Sequence, residues 1–179
     1  EKVCLFGRNG SGKTSLFKLV RGDITPTQGE VKLGVNLSLG YFAQNHMEDL
    51  DLSISALDEL QAITGESEYN TRVRLSKFLI TGTNATKKIQ SLSGGQKTRL
   101  RFAKLFSKHI DFLMLDEPTN HLDRLSWQVL VQAIKDFQGT VLLVSHDRKF
   151  IDETISKLWI IDHSSIKEYV GNLSKFIEE

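Results

Sequence analysis

Short apolar runs alternate along the chain with longer segments in which apolar positions recur at helical spacing. The runs lie at residues 3–6, 112–115 and 140–144. Continuous runs of this kind predict strands covered on both faces, because a strand with one wet face would alternate between apolar and polar residues. After the first run, Leu16, Leu19 and Val20 share one face of a predicted helix over residues 14–21, which Gly22 ends.

The same periodicities predict elements in the rest of the chain. Turn residues at 25–29 precede two further predicted strands, near residues 30–33 and 38–42. From 53 to 80 the spacing is helical, and Leu75, Phe78 and Leu79 share one of the apolar faces. The later predicted elements are a helix from about Ser93, a helix that ends before Gly139, a hairpin of strands 157–162 and 166–170, and a short terminal helix.

Strands that are apolar throughout and alternate with helices predict a three-layer α/β core around a mostly parallel sheet. The helical stretch 45–108 is predicted to be an arm inserted into a core formed by 1–44 and 109–179. We treat residues 1–179 as a single domain. Since the chain opens directly on its first strand, we expect it to be an N-terminally truncated fragment.

Composition and charge narrow the possible classes of protein. The chain has 179 residues, of which 40% are hydrophobic and 25% charged, as in a soluble globular domain. Its 23 Lys and Arg against 22 Asp and Glu leave a net charge of +1, so bulk charge predicts no attraction to nucleic acid or an anionic membrane. The apolar runs are far shorter than the roughly 18 residues that a membrane span needs. Cys4 is the single cysteine of the sequence, which fits a reducing, cytoplasmic setting.

Residues 7–14 match the phosphate-loop pattern G-x-x-x-x-G-K-[ST], between a predicted strand and a predicted helix. Glycines allow several backbone N–H groups to converge on one anion, and the helix N-terminus adds a partial positive charge there. A plain glycine-rich turn would explain neither the complete match nor its position. The candidate nucleotide-binding residues are Gly7, Asn9, Gly10, Ser11, Gly12, Lys13, Thr14 and Ser15, among which Lys13 binds the β- and γ-phosphates and the Thr14 hydroxyl ligates Mg²⁺.

The predicted strand at 112–115 runs into two acidic residues. Asp116, at the carboxyl edge of the strand, is placed to hold Mg²⁺ through water. Glu117 is placed to polarise a water that attacks the γ-phosphate. Two acids after a strand could equally form a solvated turn. The accompanying phosphate loop favours the catalytic interpretation.

Residues 92–96, Leu-Ser-Gly-Gly-Gln, open another predicted helix. Ser93 and Gln96 fit a capping box of the S-x-x-Q type. A cap alone does not explain Gly94 and Gly95, each of which weakens a helix by about 1 kcal/mol. Adjacent glycines at a helix N-terminus indicate that an anion approaches the backbone closely.

This segment resembles the signature motif of ATP-binding cassette (ABC) proteins, and the other cassette motifs follow in order. Gln44 resembles the Q-loop glutamine, which the resemblance implies touches Mg²⁺ and the attacking water. His146 resembles the switch histidine that contacts the γ-phosphate. Asn120-His121-Leu122-Asp123 resembles the D-loop, which adds Asp123 to the nucleotide-site candidates. The resemblance covers essentially the whole chain.

The resemblance implies a P-loop NTPase core with an inserted helical signature subdomain, with ATP and Mg²⁺ as ligands. It also implies a second cassette as partner, in the same full-length chain or in a homodimer. The nucleotide would then lie between the phosphate loop of one cassette and the signature of the other, so that Ser93, Gly94, Gly95 and Gln96 would serve the partner's ATP. The family's adenine-stacking aromatic would lie outside this fragment.

Within the family, residues 116–123 and 145–150 are similar to the ABC-F branch, notably at Asn120-His121 and Asp147-Arg148. That likeness implies a soluble, cytoplasmic two-cassette protein that acts in translation at the ribosome or protects it from antibiotics. Two alternatives stay open: the ATPase subunit of a membrane transporter, and a nucleotide-gated binding module with negligible turnover.

A basic stripe follows the signature. It consists of Lys97, Arg101, Lys104 and Lys108, with Arg99 nearby. We favour a solvated helix face here over a surface for ribosomal RNA, because charge runs at helical spacing usually face water.

Overall fold

The computed structural model describes residues 1–8, 10–43, 50–162 and 165–178. The strands are β1 Lys2–Phe6, β2 Leu39–Ala43, β3 Phe112–Asp116, β4 Thr140–Val144, β5 Lys157–Asp162 and β6 Ser165–Val170. The helices are α1 Lys13–Arg21, α2 Ala56–Thr64, α3 Glu68–Lys77, α4 Thr83–Thr86, α5 Gly94–Ser107, α6 Arg124–Asp136, α7 Arg148–Thr154 and α8 Leu173–Glu178. Among these described residues, no helix is long and apolar enough to cross a bilayer.

The strands form one sheet in the order β2-β3-β4-β1-β5-β6. Every pairing in it is parallel except that of β6, which runs antiparallel to β5. The predicted mostly parallel α/β sheet is therefore confirmed. In such a sheet the carboxyl ends of neighbouring strands lie at one edge, so the segments that follow β1, β3 and β4 come together there.

Helix α1 packs against one face of this sheet. Phe17 is fully buried among side chains of β1, β3 and β4, which include Val3, Met114 and Leu142. Burial of such a side chain contributes roughly 2–3 kcal/mol. The helix ends where predicted, at Gly22 in the left-handed conformation, whose N–H bonds back to the last turn. This packing holds the start of α1 at the edge where the strands end.

The chain divides into two compact units. The first comprises Glu1–Gln44, Ile110–Thr119 and Gln138–Glu179 and holds the sheet with α1, α7 and α8. The second comprises Asn45–His109 and Asn120–Phe137 and holds α2 to α6. The division into 1–44, 45–108 and 109–179 stays a prediction.

The second unit is helical and stabilises its helix starts with side chains. Ser55, Ser67, Ser93 and Asp123 each accept a hydrogen bond from a first-turn N–H of α2, α3, α5 and α6 respectively. Inside this unit, Lys104 of α5 forms a buried ion pair with Glu59 of α2.

Three details of the sequence interpretation are wrong. Residues 30–33 form no strand; Val31 and Leu33 are 43% and 46% exposed, and no described strand hydrogen-bonds to them. Helix α3 ends at Lys77, and Leu79 leaves the predicted apolar face because its backbone turns left-handed, with φ 56°. The basic stripe is not a solvated face throughout, since Arg99 and Lys104 are buried.

Candidate functional site

The predicted phosphate loop joins β1 to α1 in the first unit. Gly10 and Gly12 have φ of 81° and 97°, where a side chain would cost roughly 1–2 kcal/mol. Helix α1 receives no side-chain cap and has no acidic residue in its first turn. Its first backbone N–H groups have no acceptor within the helix, so the loop offers an anion several donors and the positive end of the helix dipole.

Two polar groups of the loop indicate how an anion would be held. Lys13 Nζ donates to the carbonyl oxygens of Gly7 and Arg8, at 2.8 and 3.0 Å, so the ammonium lies over the loop. The Ser11 hydroxyl is buried and has no hydrogen-bond partner in the described part of the chain. Phosphate oxygens would supply acceptors for both groups. A phosphate therefore fits this loop chemically.

The end of β3 carries the two predicted acids, and the end of β4 carries the predicted histidine. Glu117 follows β3 with φ 48°, a conformation that is rare for a residue with a side chain, and its N–H donates to Val144 O at 2.8 Å. Its carboxylate accepts a hydrogen bond from the His146 N–H at 3.2 Å and lies 3.3 Å from His146 Nε2. The pairing of β3 with β4 thus brings Glu117 and His146 into direct contact.

Burial affects the protonation of both acids. It raises the pKa of Glu117, an effect that His146 partly opposes. Burial also raises the pKa of Asp116, against which the hydrogen bond from Tyr41 and the charge of Lys13 act. A carboxylate with a raised pKa is a better proton acceptor near neutral pH, as a general base requires.

The predicted metal ligands Thr14 and Asp116 offer a hydroxyl and a carboxylate, which are oxygen donors that suit Mg²⁺. Across the described ranges, no group of three or more His, Cys, Asp and Glu side chains is arranged to hold a metal. Mg²⁺ commonly takes one or two protein oxygens and completes its shell with water and substrate phosphates. The donor set therefore fits Mg²⁺ bound together with a nucleotide. Two predicted site residues, Asn9 and Gln44, lie outside the described residues.

The second unit brings the signature residues and Asp123 together. Ser93 and Gln96 form the predicted capping box in both directions, at 2.9 and 3.2 Å. Gly94 borders open space. A Cβ on Gly95 would come within 1.9 Å of Asp123 Oδ2, so only glycine allows this approach. The D-loop aspartate thus packs against the first turn of the signature helix while it caps α6 through a 2.7 Å bond from the Ser126 N–H.

Sequence reasoning missed two residues that support these sites. Tyr41 lies diagonally across the β2–β3 pair from Asp116 and lowers the burial-raised pKa of that carboxyl by hydrogen bonding, and a tyrosine inside the apolar strand β2 was the available signal. Arg99, one turn after Gly95, is buried and lies 3.8 Å from Asp123. The sequence places Arg99 beside the basic stripe that is predicted to be solvated, because helical spacing alone does not distinguish a buried cation from a solvated one.

Comparisons with known proteins agree with this geometry. A family model described as ABC transporter matches residues 1–120. The mouse protein ATP-binding cassette sub-family F member 3 is 40% identical over 177 residues, which are 98% of this chain and 25% of that protein. The putative ATP-binding protein YdiF of Bacillus subtilis is 42% identical over an alignment 180 positions long, which covers 100% of this chain and 28% of that protein.

One solved structure shows the same fold. It is a dimeric post-hydrolysis state of the ATP-binding cassette MJ0796 bound to ADP and Pi, with a TM-score of 0.68 at 22% identity over 95% of this chain and 85% of that one. The chain spans about a quarter of the length of the curated relatives it matches. The family match and the motifs at their observed positions lead to one conclusion: this chain belongs to the ABC family as an ATP-binding cassette, and within that family it is similar to sub-family F proteins.

Proposed function

We propose that this cassette binds Mg·ATP and hydrolyses it when a second cassette completes the site. The observation that supports this most is the contact of Glu117 with His146, beside the loop that carries Lys13. A partly buried carboxylate in direct contact with a histidine, next to a phosphate loop, is an arrangement suited to the activation of water. A binding module without turnover would not need this pair.

Each residue has a distinct role in the proposal. Lys13 and the loop amides bind the phosphates, and Thr14, Asp116 and Gln44 position the metal. Bound Mg²⁺ supplies neutralisation of charge on the β- and γ-phosphates. Glu117 accepts the proton of the attacking water, and His146 holds the Glu117 carboxylate and contacts the γ-phosphate. Ser93 and Gly95 act on the ATP held by the partner cassette.

The first experiment replaces Glu117 by Gln, which keeps the shape of the side chain and removes the base. We expect ATP turnover to fall about 10²- to 10⁴-fold while ATP affinity is retained. Glu68→Gln is the matched control, because Glu68 lies on the surface of α3 in an ion pair with Arg72. Turnover by Glu117→Gln at the wild-type rate would exclude the assignment of Glu117 as the base.

We further propose that the full-length protein acts in translation at the ribosome, as the ABC-F likeness implies. The sub-family F relatives and the pairs Asn120-His121 and Asp147-Arg148 support this. Asp147 also has a structural task, since it accepts the Phe150 N–H at 3.0 Å and so caps α7 directly after His146. One residue of the Asp147-Arg148 pair therefore stabilises the turn that follows the proposed switch histidine.

Sedimentation separates this role from the transporter alternative. Full-length protein with Glu117→Gln is centrifuged through a sucrose gradient with cell extract, with and without ATP. Migration with ribosomes only when ATP is present is the expected result. Recovery in the membrane pellet instead would exclude the translation role and support an ATPase subunit of a transporter.

A further inference from the structure

The Tyr41 hydroxyl is the one polar side-chain group of β2, and the proposed ATPase mechanism leaves it unused. We propose that Tyr41 is a positioning residue for Asp116: it holds the carboxylate in the orientation that Mg·ATP needs, and Arg21 holds Tyr41 in turn. This inference rests on the proposed binding of Mg·ATP. It assigns to the end of α1 and to strand β2 a part in metal binding that no cassette motif contains.

The register of the sheet places Tyr41 and Asp116 on the same face. Tyr41 pairs with Met114, and Ala43 pairs with Asp116, in the parallel ladder of β2 and β3. Because residues two apart on a strand point to the same face, Tyr41 lies diagonally across from Asp116. A tyrosine side chain is long enough to cover that diagonal. The hydroxyl is therefore within reach of the Asp116 carboxylate, whose burial-raised pKa it lowers as a hydrogen-bond donor.

The ring of Tyr41 is held from two sides. Phe17 of α1 packs edge-on against it, with 6.5 Å between ring centroids. The Arg21 guanidinium lies 3.9 Å from the ring centroid, a cation–π distance. Burial raises the pKa of the Tyr41 phenol, and the charge and hydrogen bonding of Arg21 act against this larger effect. Arg21 is itself paired with Asp23 at 3.3 Å. These contacts with α1 hold the ring whose hydroxyl lies diagonally across from Asp116.

The consequence for the metal site is geometric. A carboxylate at the end of a strand rotates about its side-chain bonds, and one fixed hydrogen bond selects a single orientation. An oxygen engaged by Tyr41 leaves the other oxygen of Asp116 for the metal or its water. Second-shell hydrogen bonds to metal ligands of this kind typically affect metal affinity by about 10- to 100-fold when removed.

The test measures how strongly Mg²⁺ improves nucleotide binding, without reference to turnover. The affinity of the full-length protein for a fluorescent ATP analogue is measured in EDTA and in saturating Mg²⁺. The ratio of the two dissociation constants is the metal advantage. Tyr41→Phe keeps the ring, the packing on Phe17 and the cation–π contact, and it removes only the hydroxyl. We expect affinity in EDTA to stay at the wild-type value and the metal advantage to fall about tenfold.

Two variants calibrate the measurement. Asp116→Asn is expected to abolish most of the metal advantage, and Tyr69→Phe, at a tyrosine that is 76% exposed, is expected to leave it unchanged. If the wild type shows no metal advantage, or if Asp116→Asn retains it, the proposed Mg·ATP site is wrong and this inference is overturned with it. If both behave as expected and Tyr41→Phe matches the wild type, the positioning role alone is overturned.

If Tyr41→Phe changes the affinity for the ATP analogue in EDTA, it perturbs the phosphate loop, and a second variant is then needed to test the proposal. Arg21→Gln leaves Tyr41 in place and removes the cation that holds its ring. A lowered metal advantage in Arg21→Gln, with EDTA affinity retained, supports the positioning chain. A wild-type metal advantage in Arg21→Gln overturns it.

Discussion

Helices α1 and α5 both begin at residues predicted to serve a nucleotide, yet they begin in opposite ways. Helix α1 starts after Gly12, which is left-handed, and no side chain caps its first turn. Helix α5 starts after Ser93 with a capping box that is complete in both directions. The first helix leaves donors for a ligand, whereas the second satisfies two of its own donors within the chain.

The difference indicates that the two regions respond differently to nucleotide. The loop before α1 contains a buried hydroxyl without a described partner and left-handed glycines. The partly buried carboxylate of Glu117, which follows β3, has a raised pKa. Such features cost stability in the ligand-free protein and are found where function requires them. The start of α5 has no left-handed backbone, and Gly94 there borders open space. Three predictions test this contrast.

The largest expected effect concerns the internal stability of the helical unit. Lys104→Met leaves Glu59 buried and without the cation that the wild type pairs with it, and breaking a buried pair costs about 3–5 kcal/mol. The double variant Glu59→Leu, Lys104→Met should recover most of that loss, because it leaves no buried charge. Urea unfolding of the wild type and both variants measures the free energies of unfolding.

Lys97→Met is the control for this prediction, because Lys97 lies on the same helix and is only partly buried. We expect its free energy of unfolding to stay within about 0.5 kcal/mol of the wild type. If Lys104→Met and Lys97→Met were equally stable, the Lys104–Glu59 pair would have no role in holding α2 against α5.

Lys104 also illustrates how much of the fold could be predicted from the sequence. Apolar runs predicted β1, β3 and β4 correctly, because a strand buried on both faces has a pattern independent of its neighbours. The same reasoning failed at residues 30–33, where strand formation depends on a hydrogen-bonding neighbour that local sequence does not supply. It failed at Lys104 because burial of a charge depends on Glu59, which is 45 positions away along the chain.

In the candidate site, too, some features could be predicted from the sequence and others could not. The loop before α1 was predictable, since its chemistry lies in consecutive residues of fixed type. The contact between Glu117 and His146 was predictable only through the order of family motifs, because 29 positions separate them in sequence. Tyr41 was missed because its hydroxyl reaches Asp116 across a diagonal of the sheet, and that diagonal depends on the register of β2 with β3.

The next effect compares the adjacent glycines of the signature. Gly94→Ala places its methyl group in open space, and alanine in a helix is about 0.5–1 kcal/mol more stable than glycine. Gly95→Ala displaces Asp123, which caps α6, and losing a cap costs about 1 kcal/mol. We expect Gly95→Ala to be about 1–2 kcal/mol less stable than Gly94→Ala in thermal or urea unfolding.

Activity should separate from stability in this pair. If the open space beside Gly94 receives the partner's nucleotide, Gly94→Ala should lose ATP turnover although it is the more stable variant. Gly34→Ala offers a matched control, since Gly34 also borders open space and lies outside every motif. Full turnover by Gly94→Ala would show that no ligand approaches this backbone closely, and the contrast between α1 and α5 would then lose its functional meaning.

The smallest expected effect is the pH dependence of the stability that the protein loses when the Glu117 carboxylate is charged. Burial raises its pKa in the folded protein, so folding is favoured while the carboxyl is protonated and loses that contribution as pH rises through the raised value. Glu117→Gln, which is always neutral, should therefore be more stable than the wild type at pH 8. The advantage should shrink as pH falls toward about 4.3, the ordinary value for a glutamate.

The effect is small because 22% of the side chain is exposed and His146 opposes the shift. Unfolding midpoints of both proteins across this pH range measure it. An advantage that is constant with pH would mean that the charge of Glu117 does not strain the ligand-free site, and that the strain there resides in the backbone alone.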